Sequence, residues 1–132
     1  PFVKVKNIID GIEGAVKYGA CVIGVPVKDT IKIVRDNNID ETPKRDLLWA
    51  AQTPQCFKKE IIMEGYRKAI NDDFIGTDDS SLVERLGMEV KMIMGGYDNI
   101  KITTPEDLII AESILKDKGF ICRRKEFVFQ SR

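Results

Sequence analysis

The chain contains no histidine. Serine–histidine and cysteine–histidine nucleophile pairs are thereby excluded, as is any metal site built on imidazole. Cysteine is sparse too. Cys21, Cys56 and Cys122 are odd in number, widely spaced and without a CxxC pair, which reads as reduced thiols in a cytosol rather than a disulfide framework. No apolar run approaches the roughly 20 residues of a membrane span, and no signal-peptide pattern opens the chain. Neither sign of charge is in excess, with 21 basic and 21 acidic residues. Broad binding to nucleic acid or to a membrane surface needs a basic stripe, so the balance weighs against both. A local anion site stays open.

What is present suits one soluble domain with a real core: 132 residues, 43% hydrophobic and 32% charged. Pro1-Phe2 is no natural initiator, so the chain is expected to be a piece whose N-terminal part is cleaved, disordered or omitted. Val5, Ile8, Ile9, Ile12, Ala15 and Val16 recur at helical spacing, and Gly19 suits a helix C-cap. Ala20 to Val27 is a nearly unbroken apolar run, as in a strand buried on both faces. Helix, short turn and buried strand point to α/β architecture.

Ile31 to Val34 and a stretch near Ile39 flank the turn-prone Asp36-Asn37-Asn38, predicting a projecting hairpin. Thr53 to Phe57 reads as a turn leading into a helix from about Lys58 to Ile70. Gly76 to Asp79 starts a short helix, Ser80 to Leu86, and Met88 to Met94 reads as a strand. Asp98 to Leu108 is expected to be a short strand carrying Lys101 that breaks into a helix from Pro105 to about Lys118. Thr104 is the expected N-cap, Pro105 fits the first helical position, and Asp107 is placed for a capping box. Residues 1–119 are taken as one domain part, with 27–46 as the arm, and 120–132 are left unassigned.

Three places could carry chemistry. Lys101 is either a solvated lysine or a fixed cation at a helix N-terminus, where free N–H groups already attract phosphate. Thr77 and Asp78 either cap the Ser80 helix, or Thr77 donates its hydroxyl to a phosphate or polyol. Asp78 and Asp79 alone do not make a metal site. Arg45, following the hairpin, is either solvated or offered to a neighbouring subunit as a bidentate phosphate ligand. Asp29-Thr30 and Thr53-Pro54-Gln55 are turn chemistry whose hydroxyls could serve a polyol.

Five motifs stand in order: Pro26-Val27-Lys28-Asp29-Thr30, Arg45-Asp46-Leu47-Leu48-Trp49, Thr53-Pro54-Gln55-Cys56-Phe57, Thr77-Asp78-Asp79-Ser80-Ser81-Leu82-Val83-Glu84, and Asn99-Ile100-Lys101-Ile102-Thr103-Thr104-Pro105-Glu106-Asp107-Leu108. Together they resemble the C-terminal part of the 2-C-methyl-D-erythritol 4-phosphate cytidylyltransferase family, over residues 1 to about 118. The resemblance implies a Rossmann-like α/β fold with a mostly parallel sheet flanked by helices, and a hairpin arm for dimerisation. It implies a cytoplasmic homodimer of the methylerythritol phosphate pathway to isoprenoids. That enzyme joins CTP and methylerythritol phosphate, with Mg²⁺, into 4-diphosphocytidyl-2-C-methyl-D-erythritol and pyrophosphate.

In that reaction the substrate's phosphate attacks the α-phosphorus of CTP, so no protein nucleophile is needed. By the resemblance, Lys101 and Arg45 are catalytic and orient the attacking phosphate, with Arg45 reaching across the dimer. Thr30, Thr53 and Thr77 match polar positions lining the substrate pocket, joined by Asp29 from the same motif as Thr30. The family's Gly-rich CTP loop, basic transition-state residues and metal-associated aspartate fall upstream of Pro1. The chain is therefore expected to lack most of the CTP site and to be inactive alone. Ribitol 5-phosphate cytidylyltransferase is the nearest rival, though Ser80 to Glu84 leans towards the methylerythritol enzyme. A non-catalytic dimerisation or substrate-binding module is the rival from another class.

Overall fold

The computed structural model describes residues 1–119, so Cys122 and the unassigned tail 120–132 lie outside the described residues. These residues form two compact units, one of residues 2–99 and one taking in Pro1 and the described residues from Ile100. In the larger unit, helix α1 (Val5–Tyr18) leads through Gly19, at φ 92°, into strand β1 (Ala20–Pro26). Glycine tolerates that backbone, which a Cβ would disfavour.

The helix expectation holds for α1, but the face it buries is not the apolar stripe. Asn7, Gly11, Gly14 and Ala15 are buried, whereas Val5, Ile8, Ile9, Ile12 and Val16 are exposed in this chain. Close approach explains the choice of face. A Cβ at Gly14 would lie 2.6 Å from Ile93 Cδ1, and one at Gly11 would lie 2.9 Å from Cys56 Sγ. Glycine lets the helix backbone sit so near the sheet that the Cys21 thiol donates to the Gly11 carbonyl at 3.0 Å.

β1 is the central strand of the sheet, with Ala20, Cys21, Val22, Ile23 and Val25 all buried. Burying each large side chain there contributes about 1.5–3 kcal/mol. The connection after β1 contains no helix. It passes through a hairpin, β2 (Ile33–Arg35) and β3 (Asn38–Glu41), then a 3₁₀ turn (Arg45–Leu47), into β4 (Trp49–Phe57). Without a crossover helix the chain returns antiparallel, and β4 pairs with β1 in that sense. Two helices, α2 (Lys59–Asn71) and α3 (Asp79–Glu84), then lead to β5 (Lys91–Met94), which pairs parallel to β1 on its other side. The expected α/β arrangement of helices flanking a sheet holds, and within this chain the sheet is mixed.

The hairpin stands as its own two-stranded sheet, with every residue of both strands exposed. Asp36 and Asn37 form its two-residue turn, at φ 48° and 63°. Positive φ at both central positions is the mark of a type I′ turn, whose twist suits a hairpin.

Two expectations require correction. Thr53 to Phe57 is not a turn but the second half of β4. Gln55, Cys56 and Phe57 pair with Val22, Cys21 and Ala20, and Pro54 sits where the register shifts and no ladder bond is demanded of it. The segment carrying Lys101 is not a strand either. β5 ends at Met94, the Gly95 N–H closes on the Gly24 carbonyl at 2.7 Å, and the Asn99 N–H closes on Gly96 at 3.0 Å. The Gly95 bond is the last rung of the β5–β1 ladder, and the turn closed by Asn99 then takes the chain away from it. In the second unit, helix α4 (Pro105–Asp117) begins where expected.

Candidate functional site

β1 runs out at Pro26, and Lys28, Asp29 and Thr30 follow it on the surface. The 3₁₀ turn lies against this end. Val27 N–H donates to the Leu48 carbonyl at 3.1 Å, and Arg45 Nη1 donates to the Lys28 carbonyl at 3.2 Å. One arm of the exposed guanidinium is thus anchored. Lys28 Nζ lies 3.7 Å over the ring of Tyr97, whose hydroxyl donates to the Pro26 carbonyl at 2.8 Å. The structure therefore gathers Arg45 and Lys28, with Asp29 and Thr30 beside them, at one strand end. Ligands of open α/β sheets bind at such ends, and a planar guanidinium suits a phosphate.

Thr53 owes its place to an irregularity. Val22 faces Gln55 and Gly24 faces Ala51, so Gln52, Thr53 and Pro54 together stand opposite Ile23. The Thr53–Pro54 peptide bond is cis. Side-chain amides replace the ladder at this bulge: Asn99 Nδ2 donates to the Thr53 carbonyl at 2.6 Å, and Gln52 Nε2 donates to the Gly96 carbonyl at 2.9 Å.

One step along β4, Gln55 reaches the start of α3. Its Nε2 donates to Asp78 Oδ2 at 2.8 Å, and its Oε1 accepts from the Ser80 N–H at 3.1 Å. Asp78 is the N-cap, accepting from the Ser81 N–H at 3.0 Å. Burial works to raise the Asp78 carboxyl, but hydrogen bonds from Gln55, the Ser81 N–H and the Ser80 hydroxyl outweigh it and hold it below its ordinary value. Of the two capping possibilities, Asp78 is the one realised. Thr77 is left outside the cap, exposed on the rim of a cavity of about 580 Å³ that Tyr66, Phe74, Asp79 and Leu82 help to line. Gln55 thus ties the neighbourhoods of Thr53 and Thr77 together.

Lys101 belongs to the second unit, exposed in the irregular segment ahead of α4. That segment is ordered from the helix side. The Asp107 carboxylate accepts from the N–H groups of Thr103 at 2.9 Å and Thr104 at 2.8 Å, and from the Thr103 hydroxyl at 3.1 Å. These donors hold its carboxyl below the usual range. Thr104 is the N-cap, as expected.

Reasoning from sequence missed Gln52, Gln55, Asn99, Lys28 and Tyr97 as parts of this region. Gln55, Asn99 and Lys28 fall inside the quoted motifs, but no spacing rule links an amide to a carbonyl more than 40 residues away. Among the described residues no group of three or more carboxylates and thiols is placed to hold a metal ion. Nor, among them, is any helix long and apolar enough to cross a membrane.

The larger unit is an α/β arrangement that presents Arg45, Lys28, Asp29 and Thr30 at the end of β1, where open α/β sheets take their ligands. Residues 1–117 match the family described as IspD, 2-C-methyl-D-erythritol 4-phosphate cytidylyltransferase, and the chain belongs to that family. The enzyme of that name from Caldanaerobacter subterraneus subsp. tengcongensis is 55% identical over 117 residues, covering 88% of this chain and 52% of the relative. Its counterpart in Clostridioides difficile is 56% identical over 115 residues, covering 87% and 48%. Among solved structures, 4-diphosphocytidyl-2C-methyl-D-erythritol synthase from Anaerococcus prevotii is similar, with TM-score 0.81 and 39% identity over 88% of this chain and 52% of that one. The Thermus thermophilus cytidylyltransferase gives TM-score 0.79 and 31% identity, over 88% and 57%. The chain spans about half the length of the curated relatives it matches.

Proposed function

We propose that the whole protein transfers the cytidylyl group of CTP to 2-C-methyl-D-erythritol 4-phosphate, releasing pyrophosphate, as a cytoplasmic homodimer. The observation that carries this reading is the family match over residues 1–117, which contains every motif expected to hold the polyol phosphate. A phosphate oxygen of the polyol forms the new bond to the α-phosphorus of CTP, and the bond from that phosphorus to the pyrophosphate oxygen breaks. The attacking oxygen already carries negative charge, so no protein base or nucleophile is required, which suits a chain without histidine. Catalysis then rests on positioning and charge stabilisation.

In this reading Arg45 and Lys101 hold the attacking phosphate, Arg45 from the partner subunit. Thr30, Thr53, Thr77 and Asp29 take the polyol hydroxyls. The exposed hairpin, with Val34 and Ile39 uncovered, supports a role as the dimer arm. The Mg²⁺ of this reading would take its main protein ligand from the part of the relatives' length that this chain does not span, and no step above is drawn through it.

The test is pyrophosphate release by the full-length protein from CTP with each polyol phosphate. Turnover with methylerythritol phosphate is expected; turnover with ribitol 5-phosphate alone would overturn the substrate assignment. Mixing Arg45→Ala with Lys101→Ala protein, with subunit exchange confirmed, should restore part of the lost activity if Arg45 acts in trans. No rescue would place both groups in one subunit.

A further inference from the structure

Gln52 is an odd residue to find at the β4 bulge. Its Nε2 is used, donating to the Gly96 carbonyl at 2.9 Å, but its Oε1 is buried without a hydrogen-bond partner. Leaving an acceptor dry is unfavourable, so an apolar side chain of the same length would serve packing at least as well. Around it the structure is tight. A Cβ at Gly95 would collide with Gln52 Oε1 and lie 2.8 Å from Ile23 Cγ2. Asn99, itself buried, makes the reciprocal bond, donating from Nδ2 to the Thr53 carbonyl at 2.6 Å.

Two amides thus cross the same gap in opposite senses. Gln52, on the bulge, grips the 95–99 turn, and Asn99, on that turn, grips the bulge. Between Val22 and Gly24 the ladder supplies no regular partner for Thr53, so these two bonds take over the task of fixing it. Asn99 is also the residue two positions before Lys101 in the chain.

We infer that Gln52 and Asn99 form a reciprocal amide staple that positions Thr53 for the polyol phosphate, and that Gln52 is a positioning residue kept for this donor rather than for stability. The inference rests on the proposed function. Its test compares full-length wild type, Gln52→Met, Asn99→Ala and the double variant. Gln52→Met removes an orphaned acceptor along with one bond, so the thermal midpoint should stay within a few degrees of wild type. The KM for methylerythritol phosphate should rise about tenfold, the loss expected for one hydrogen bond, while the KM for CTP stays within about twofold. Both bonds hold one bulge, so the double variant should raise that KM by less than the product of the single effects.

Unchanged KM values for both substrates would overturn the inference. So would equal rises in both KM values with a lowered midpoint, since that is the signature of a purely structural bond. If wild type releases no pyrophosphate with either polyol phosphate, it is the proposed function that fails. The staple is then read by amide hydrogen exchange: faster exchange across residues 95–99 in Gln52→Met supports it, and unchanged exchange overturns it. Should Gln52→Met not fold, Gln52→Leu, which also lacks the donor, takes its place.

Discussion

β1 and the β2–β3 hairpin both carry β-branched apolar residues, and those residues meet opposite fates. Val22, Ile23 and Val25 are buried between two partner strands, whereas Ile33, Val34 and Ile39 lie open to solvent. β-branched side chains suit both, so strand propensity does not separate them, although Arg35, Asp40 and Glu41 already mark the hairpin as the more polar. Neighbours do. β1 is closed on both edges and covered by α1, while each hairpin strand has only the other. The difference teaches that β1 finds its covering within this chain, whereas the hairpin strands are left exposed by it, which is the surface the proposed dimer would use.

The sharpest way to break that comparison is Ile23→Ala. A fully buried side chain leaves a cavity, so unfolding free energy should fall by about 2–5 kcal/mol in urea denaturation of the full-length protein. A loss below 1 kcal/mol would mean that β1 is not the core. Next in size, Arg45→Ala and Lys101→Ala should each lower kcat/KM about a hundredfold, the scale of removing one charge-stabilising donor. Circular dichroism should be unchanged, because both side chains are exposed. Near-normal kinetics for either would remove that residue from the site.

Asp78→Ala comes third, at about 1 kcal/mol for a lost N-cap. Its pH dependence has a definite sign. The folded carboxyl lies below its ordinary value of 3.8, so its stabilisation is full above that pH and is lost as pH falls through the lower folded value. Wild type should therefore show a steeper acid loss than Asp78→Asn below about pH 4; equal slopes would contradict the cap's electrostatic role. Smallest for folding is Ile39→Asp on the hairpin, expected within about 0.5 kcal/mol for a subunit. Sedimentation should nonetheless show the proposed dimer weakened. An unchanged dimer would move the interface elsewhere.

Local rules made much of this molecule legible. Gly19 closes α1, Asp36-Asn37 makes the hairpin turn, and Thr104 starts α4 where capping chemistry places it. Such signals act over four or five residues, so a linear reading captures them. The same reading placed Thr53 in a turn and Lys101 on a strand, because Pro54 and Ile100-Lys101-Ile102 carry those local preferences. Pairing with β1 decided the first case; in the second the ladder ends at Gly95 and the turn closed by Asn99 on Gly96 follows it.

Sequence by itself determined most of the helices, the caps at Gly19 and Thr104, the exclusion of histidine chemistry and, through five ordered motifs, the family. Only the tertiary structure decided that α1 buries its glycines rather than its isoleucines, that Gln55 joins the Thr53 and Thr77 neighbourhoods, and that Gln52 and Asn99 grip one another's loops. The reason is physical. Caps and turns are satisfied by residues close in the chain, whereas close approach and amide-to-carbonyl bonds depend on which distant backbone arrives alongside.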